Sequence, residues 1–154
     1  MLFRSRLKFA NFVKEIYLDS DTTVGLLSGA PFDDPTKWFL SNDQMKAASD
    51  SLNSVAGSRR LLFHSLVTPK QPGWMEEVDR VIAVVHPTSW KSYTIGDPLS
   101  PAKTKYPWRL DDEQLMYPFY EKAVRAGITN LCIHKGLLPK DYETSIPGGR
   151  VGNR

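Results

Sequence analysis

The sequence has little cysteine, little histidine and no long apolar run. One cysteine, Cys132, stands among 154 residues, which excludes an internal disulfide and a cysteine-built zinc site. It falls in the most strand-like run of the chain, so it is expected to be buried and inert, in a reducing compartment. The cytoplasm is the expected location. No apolar stretch approaches the length of a membrane span. Lys8, Asn11, Lys14 and Glu15 interrupt the N-terminal segment where a signal peptide needs continuous apolar residues. A membrane is therefore not an expected partner. Charge of one sign is also scarce. The formal net charge is +3, the basic residues are scattered, and no Lys/Arg block is interleaved with aromatics. Nucleic acid is thereby not an expected partner either.

What is present is material for a core. The hydrophobic fraction is 41%, with four Trp and seven Phe, enough for one globular domain of this length. Phe9, Phe12, Val13 and Ile16 recur at helical spacing, so residues 8–17 read as an amphipathic helix. Residues 22–28 form the first strand candidate, followed by a Pro- and Asp-rich loop that carries Trp38 and Phe39. Ser41 with Gln44 three residues on is a capping-box pattern. The helix it opens should run to about Val55 and stop at Gly57. A second strand spans 60–67, a helix 74–84, and a third strand 90–95. A long loop over 96–110 contains Pro98, Pro101 and Pro107. Asp111, Asp112 and Glu113 open the clearest helix, where acids suit the helix dipole. Pro118 inside that pattern predicts a kink or a separate first turn. Gly127 ends it, and residues 129–134 make the fourth strand. The segment 145–154 shows no periodicity and is expected to be a loose tail, leaving residues 1–144 as the domain.

The order is one helix, then four strands alternating with three helices. Such βα units make parallel sheets with right-handed crossovers. A closed eight-stranded barrel takes about 250 residues. The expected fold class is therefore α/β, either a small open sheet or about four of the eight parallel βα units of a TIM (β/α)8 barrel. One run stands out in it, Leu131-Cys132-Ile133-His134-Lys135-Gly136. It delivers a histidine to the C-terminal end of a strand, the edge where ligands bind in parallel folds. A histidine there can hold a metal or move a proton near neutral pH.

Several segments together resemble one family. The run Asp19-Ser20-Asp21-Thr22-Thr23-Val24-Gly25-Leu26-Leu27-Ser28-Gly29 is similar to the "DSDT…LS" segment of the amidohydrolase-related (type 2) family. So are Ala56 through His64, the strand Ser89-Trp90-Lys91-Ser92-Tyr93-Thr94, and Trp108-Arg109-Leu110-Asp111-Asp112 with Pro118 to Ala123. Ile133-His134-Lys135-Gly136-Leu137 completes the series. The resemblance covers roughly residues 12–139. It implies a barrel with one catalytic divalent metal, zinc being the expected ion, and the four strands as strands 2 to 5 of eight. Family members hydrolyse C–N or C–O bonds or decarboxylate small carboxylic acids. Their ligands come from an H-x-H motif on strand 1 and from residues on strands 5, 6 and 8. The resemblance carries one of these over, the strand-5 histidine, to His134. The sequence contains no H-x-H, so the chain is expected to be a truncated, catalytically incomplete piece of a longer frame.

Other candidates carry weaker signals. Lys91 sits mid-strand among apolar residues, on the same face as Tyr93 and opposite Trp90 and Ser92. Lysine is seldom buried without a partner. It is a candidate catalytic or anion-binding group, with a snorkelling lysine as the equally weighted alternative. Tyr93 is a candidate substrate-binding residue, and so are Trp38 and Trp108, which with Phe39 lie in long loops that would line a pocket, set against anchoring of those loops. His64 reads as a satisfied core histidine and His86 as a surface residue. Lys135 reads as surface, and the acids at 111–113 as capping charges. The expected activity is metal-dependent hydrolysis or decarboxylation of a small-molecule substrate. The alternative is a non-catalytic α/β module that associates with another copy, since half a barrel exposes two strand edges and an apolar interior.

Overall fold

The computed structural model of the chain describes residues 8–94 and 105–134. Residues 96–104 of the expected long loop, the expected turn at Lys135 and Gly136, and the expected tail 145–154 lie outside the described residues. Helix α1 (Phe9–Val13) runs into a π-helical turn, Lys14–Leu18. Strand β1 (Gly25–Leu27) is followed by a 3-10 turn, Pro35–Lys37, and helix α2 (Asn42–Ala56). Strand β2 (Leu61–Leu66) leads to α3 (Trp74–Arg80), which ends in a π-helical turn, Val81–Val85. Strand β3 (Ser89–Tyr93), helix α4 (Glu113–Arg125) and strand β4 (Leu131–His134) complete the order.

The four strands form one all-parallel sheet in sequence order, β1-β2-β3-β4. Gly25–Leu27 pair with Leu61–Phe63, whereas β3 begins its pairing at His64, opposite Ser89. The first half of β2 thus serves one neighbour and the second half the other. Such a stagger accompanies strand tilt in barrels, and the sheet curls as a half-barrel.

Local chemistry explains the element ends. Ser41 Oγ accepts from the Gln44 N–H at 3.2 Å, and Gln44 Oε1 accepts from the Ser41 N–H at 2.8 Å. This is the expected capping box, and it satisfies two donors that the helix leaves unpaired. Gly57 closes α2 with φ +63°, a conformation that costs a side-chain-bearing residue more. Asp112 caps α4 by accepting from the Leu115 N–H at 3.1 Å. Asp111 instead pairs with Arg109 outside the helix. Helix α4 runs as one element through Pro118, so a separate first turn is not formed. Strand β1 is shorter than expected, because only three of its residues find partners in β2.

Polar clamps dock α2 along β2. Near its start, buried Asn42 accepts from the Leu66 N–H at 2.7 Å and donates to the Leu66 carbonyl at 3.3 Å. It also donates to Glu77 on α3 at 3.1 Å. Near its end, Asn53 accepts from the Arg60 and Leu61 N–H groups, and Ser49 donates to the Leu61 carbonyl at 2.6 Å. The core lies between these helices and one face of the sheet. Phe63 and Trp90 from the strands meet Met45, Val78, Val81, Val85, Met116 and Phe119, with Leu27, Leu131 and Ile133 packed alongside. Trp90 meets Phe119 edge-on, centroids 5.2 Å apart, and its indole donates to the Ile128 carbonyl at 3.2 Å.

Candidate functional site

Alternation along each strand and the register between strands assign residues to the second face. That face carries Leu26, Leu62, His64, Leu66, Ser89, Lys91, Tyr93, Cys132 and His134, with Leu66 buried in the core. Leu26 is 50% exposed and Leu62, Lys91, Tyr93 and Cys132 are half-buried. The described helices α2, α3 and α4 pack on the opposite face. The helix-free face is therefore where the chain's chemically active side chains collect.

Its C-terminal end is built by β3 and β4. Tyr93 pairs with His134 in the ladder, so the two rings stand side by side. They stack with centroids 4.5 Å apart and an interplanar angle of 16°. The Lys91 ammonium lies 5.4 Å from the centre of the Tyr93 ring, within range of a cation–π attraction. Tyr93 thus links the two polar candidates, Lys91 and His134. His134 itself is exposed.

Deeper on the same face, His64 Nδ1 and Ser89 Oγ are 2.5 Å apart. Both residues are buried. Burial, and second the nearby Lys91 charge, hold the His64 imidazole below its ordinary value of 6.5. His64 is the satisfied interior histidine that its mid-strand position suggests. That His64, Lys91 and His134 share a face is not readable from the sequence. The register that joins β2 to β3 and β3 to β4 is set by long-range pairing, which local spacing does not encode.

The two tryptophan candidates stand elsewhere. Trp108 is 2% exposed and belongs to the core. Its indole donates to the Tyr93 carbonyl at 2.8 Å, and its backbone N–H donates to the Thr94 carbonyl at 3.1 Å. It therefore holds the segment after the long loop against the end of β3. Trp38 donates from its indole to the Phe32 carbonyl at 3.0 Å and is half-buried against the core. Each makes the bonds of a loop anchor, and of the two Trp108 touches the site, through the backbone of Tyr93. Cys132 is half-buried rather than fully enclosed, because it faces the side of the sheet that the described helices leave open. His86 is exposed at the helix–strand turn, with φ +53°.

Metal binding can be tested on these residues. Among the described residues, no group of three or more His, Cys, Asp and Glu side chains is placed to hold an ion. His134 offers one donor, and the Lys91 ammonium on the same face opposes a cation. The described donor set does not make a metal site by itself. A separate polar cleft of about 240 Å³ lies at the other end of the sheet, lined by Lys46, Asp50, Asn53, Arg59 and His86 among others. Lys46 and Asp50 are paired there at 2.8 Å, and the cleft brings no reactive pair together. Among the described residues no helix is long and apolar enough to cross a membrane. No protein-family model, curated protein or solved structure matches the chain.

Proposed function

We propose that this chain is half of a (β/α)8 barrel from a metal-dependent hydrolase or carbon–carbon lyase of the amidohydrolase-related kind. The helix-free face would be one wall of its substrate pocket. The observation that carries this reading is the position of His134. It is the last residue of β4, at the C-terminal end of an all-parallel sheet, with its ring against Tyr93. Ligand sites of parallel α/β folds gather at that edge. When bound, a divalent metal such as zinc would supply an activated water for a C–N or C–O bond, or polarise a carboxylate that is to be lost. His134 would be this chain's contribution to holding it, and the other ligands would come from outside the described residues.

The remaining chemistry belongs to the chain's own side chains. The Lys91 ammonium attracts a carboxylate or a developing negative charge. The stacked rings of Tyr93 and His134 offer a flat surface to a small unsaturated or aromatic substrate. Ser89 orients the His64 ring through the 2.5 Å contact, and burial keeps that ring neutral near pH 7. The test is the metal content of the purified protein, with and without His134→Ala, together with turnover of small amides, esters and carboxylic acids. A bound divalent ion that is lost in His134→Ala supports the reading. Flanking coding sequence with no H-x-H upstream of Met1 and no histidine- and aspartate-bearing strands downstream of Arg154 overturns it.

A second reading rests on the sheet edges. Among the described residues strand β1 pairs on one side, over three residues, and its Leu26 and the preceding Val24 are about half exposed. Strand edges with apolar neighbours favour association. A non-catalytic module that pairs with a second copy would bury them. Sedimentation tests this directly: a compact, stable monomer excludes the reading.

A further inference from the structure

We propose that two copies of this chain close one eight-stranded barrel, each placing its β1 edge against the other's β4 edge. The proposal rests on the second reading above, association with another copy, and names the surfaces that meet and their symmetry.

The first observation is a helix without a cover. Helix α1 and its π-helical turn bury none of their residues. Phe9, Phe12 and Ile16 follow one stripe at three- and four-residue spacing, and Phe9 and Ile16 are 42% and 37% exposed. Phe9 stacks on Phe12 with centroids 6.3 Å apart, and Phe12 meets Tyr17 edge-on at 6.0 Å. The element is nevertheless anchored. The Tyr17 hydroxyl donates to the Arg60 carbonyl at 2.9 Å, and the Arg60 guanidinium lies 5.5 Å from the centre of the Tyr17 ring. Gly25 makes room for this docking, because a Cβ there would collide with the Tyr17 hydroxyl. The apolar stripe is thus held beside the free edge of β1. In a right-handed series of βα units, the helix that leads into a strand covers the gap between that strand and the one before it. Among the described residues no strand fills that gap.

The second observation is a strand without a helix. Leu131 and Ile133 of β4 point to the helix-covered side. Both are half-buried, whereas their partners in β3, Trp90 and Ser92, are at most 1% exposed. Helix α4, which leads into β4, covers one flank of these residues. Among the described residues no helix covers the other. Each copy therefore has a helix that lacks a strand at one edge of its sheet and a strand that lacks a helix at the other.

The third observation is polarity and number. The four strands are parallel, run in sequence order and curl as a half-barrel. A two-fold axis along the barrel sets β4 of one copy parallel to β1 of the other, at both seams at once. The other copy's α1 then lies over Leu131 and Ile133. Val24 and Leu26, about half exposed, become enclosed, and eight strands give an interior that side chains can fill. Pairing β1 with its own copy across a two-fold axis would set the strands antiparallel and leave both β4 edges open.

The experiment is sedimentation of the full chain combined with disulfide mapping. A dimer is expected, with no larger species. Cys132 faces inward on β4, and by alternation Val24 and Leu26 face inward at β1. Within one copy they stand at opposite edges of the sheet, roughly 14 Å apart at three strand spacings, beyond the reach of a disulfide. Val24→Cys and Leu26→Cys are made one at a time and oxidised with diamide. At least one should give a linked dimer whose peptides join the new cysteine to Cys132. The same variants combined with Cys132→Ser should not link. Phe9→Asp, on a helix face that the single chain leaves exposed, should keep the native circular dichroism and raise the dimer dissociation constant at least about tenfold. A monomer at every concentration overturns this proposal and the second reading together. Four outcomes overturn closure through β1 and β4 while leaving association with another copy standing: linkage that survives Cys132→Ser, no linkage to Cys132 from either new cysteine, a dimer untouched by Phe9→Asp, or open-ended polymers.

Discussion

The two faces of the half-barrel are made by the same four strands, yet they differ in every respect that matters for stability and chemistry. The helix-covered face is mostly apolar and tightly packed: Trp90, Met116 and Phe119 are at most 1% exposed, and Ser65 and Ser92 are buried among them. The helix-free face holds a half-buried lysine, two histidines, a serine and a tyrosine, with Leu26 half exposed. One face holds the fold together, and the other carries groups whose burial is costly without partners. Strand alternation separates the two, because neighbouring residues point to opposite sides.

Mutations should expose this division. The largest loss is expected from Phe119→Ala, which empties the space against Trp90 and Trp74. Roughly 3–5 kcal/mol should disappear in a denaturant melt. Asn42→Ala comes next. It leaves the Leu66 N–H and carbonyl without their partner where α2 docks, at a cost of roughly 2–3 kcal/mol. The Gly29→Ala variant should lose less. A Cβ there would sit 3.0 Å from the Leu40 carbonyl oxygen and 3.2 Å from Leu66, so the neighbours must shift by a few tenths of an ångström.

Acidity probes the other face. The folded state holds His64 below its ordinary value of 6.5, through burial first and the Lys91 charge second. The unfolded chain therefore takes up the proton more readily. The stability contributed by neutral His64 is complete above about pH 6.5 and is lost as pH falls through the lower, folded value. Denaturant midpoints measured from pH 8 to pH 5 should fall more steeply for the native chain than for His64→Gln. Equal slopes would mean that His64 does not stay neutral in the folded state. The smallest effect is expected from Leu26→Ser on the helix-free face of the single chain, within about 0.5 kcal/mol. A loss as large as that of Asn42→Ala would show that something covers this face.

Much of this organisation is legible in residue patterns. The capping box at Ser41 and Gln44, the Gly57 stop and the Asp112 region mark helix ends, because those signals act within one turn of chain. The shared face of Lys91 and Tyr93 follows from alternation alone. The roles of Asn42 and Asn53 have no such signal. Both look like ordinary polar helix residues, and only docking against β2 turns them into clamps. Trp108 likewise reads as a loop aromatic available to a ligand, whereas its indole is committed to the Tyr93 carbonyl.

What the chain's sequence determined by itself is local: the order of helices and strands, their ends, and which residues of each strand lie together. What only the tertiary structure decided is register. Pairing Tyr93 with His134, His64 with Ser89 and Leu26 with Leu62 depends on how whole strands slide past one another while helices cover one side. That choice is made by burial summed over the core, including Trp90 against Phe119 and Asn42 against Leu66, rather than by any short stretch of chain. It is also the choice that gathers His64, Lys91 and His134 on one face and so creates the candidate site.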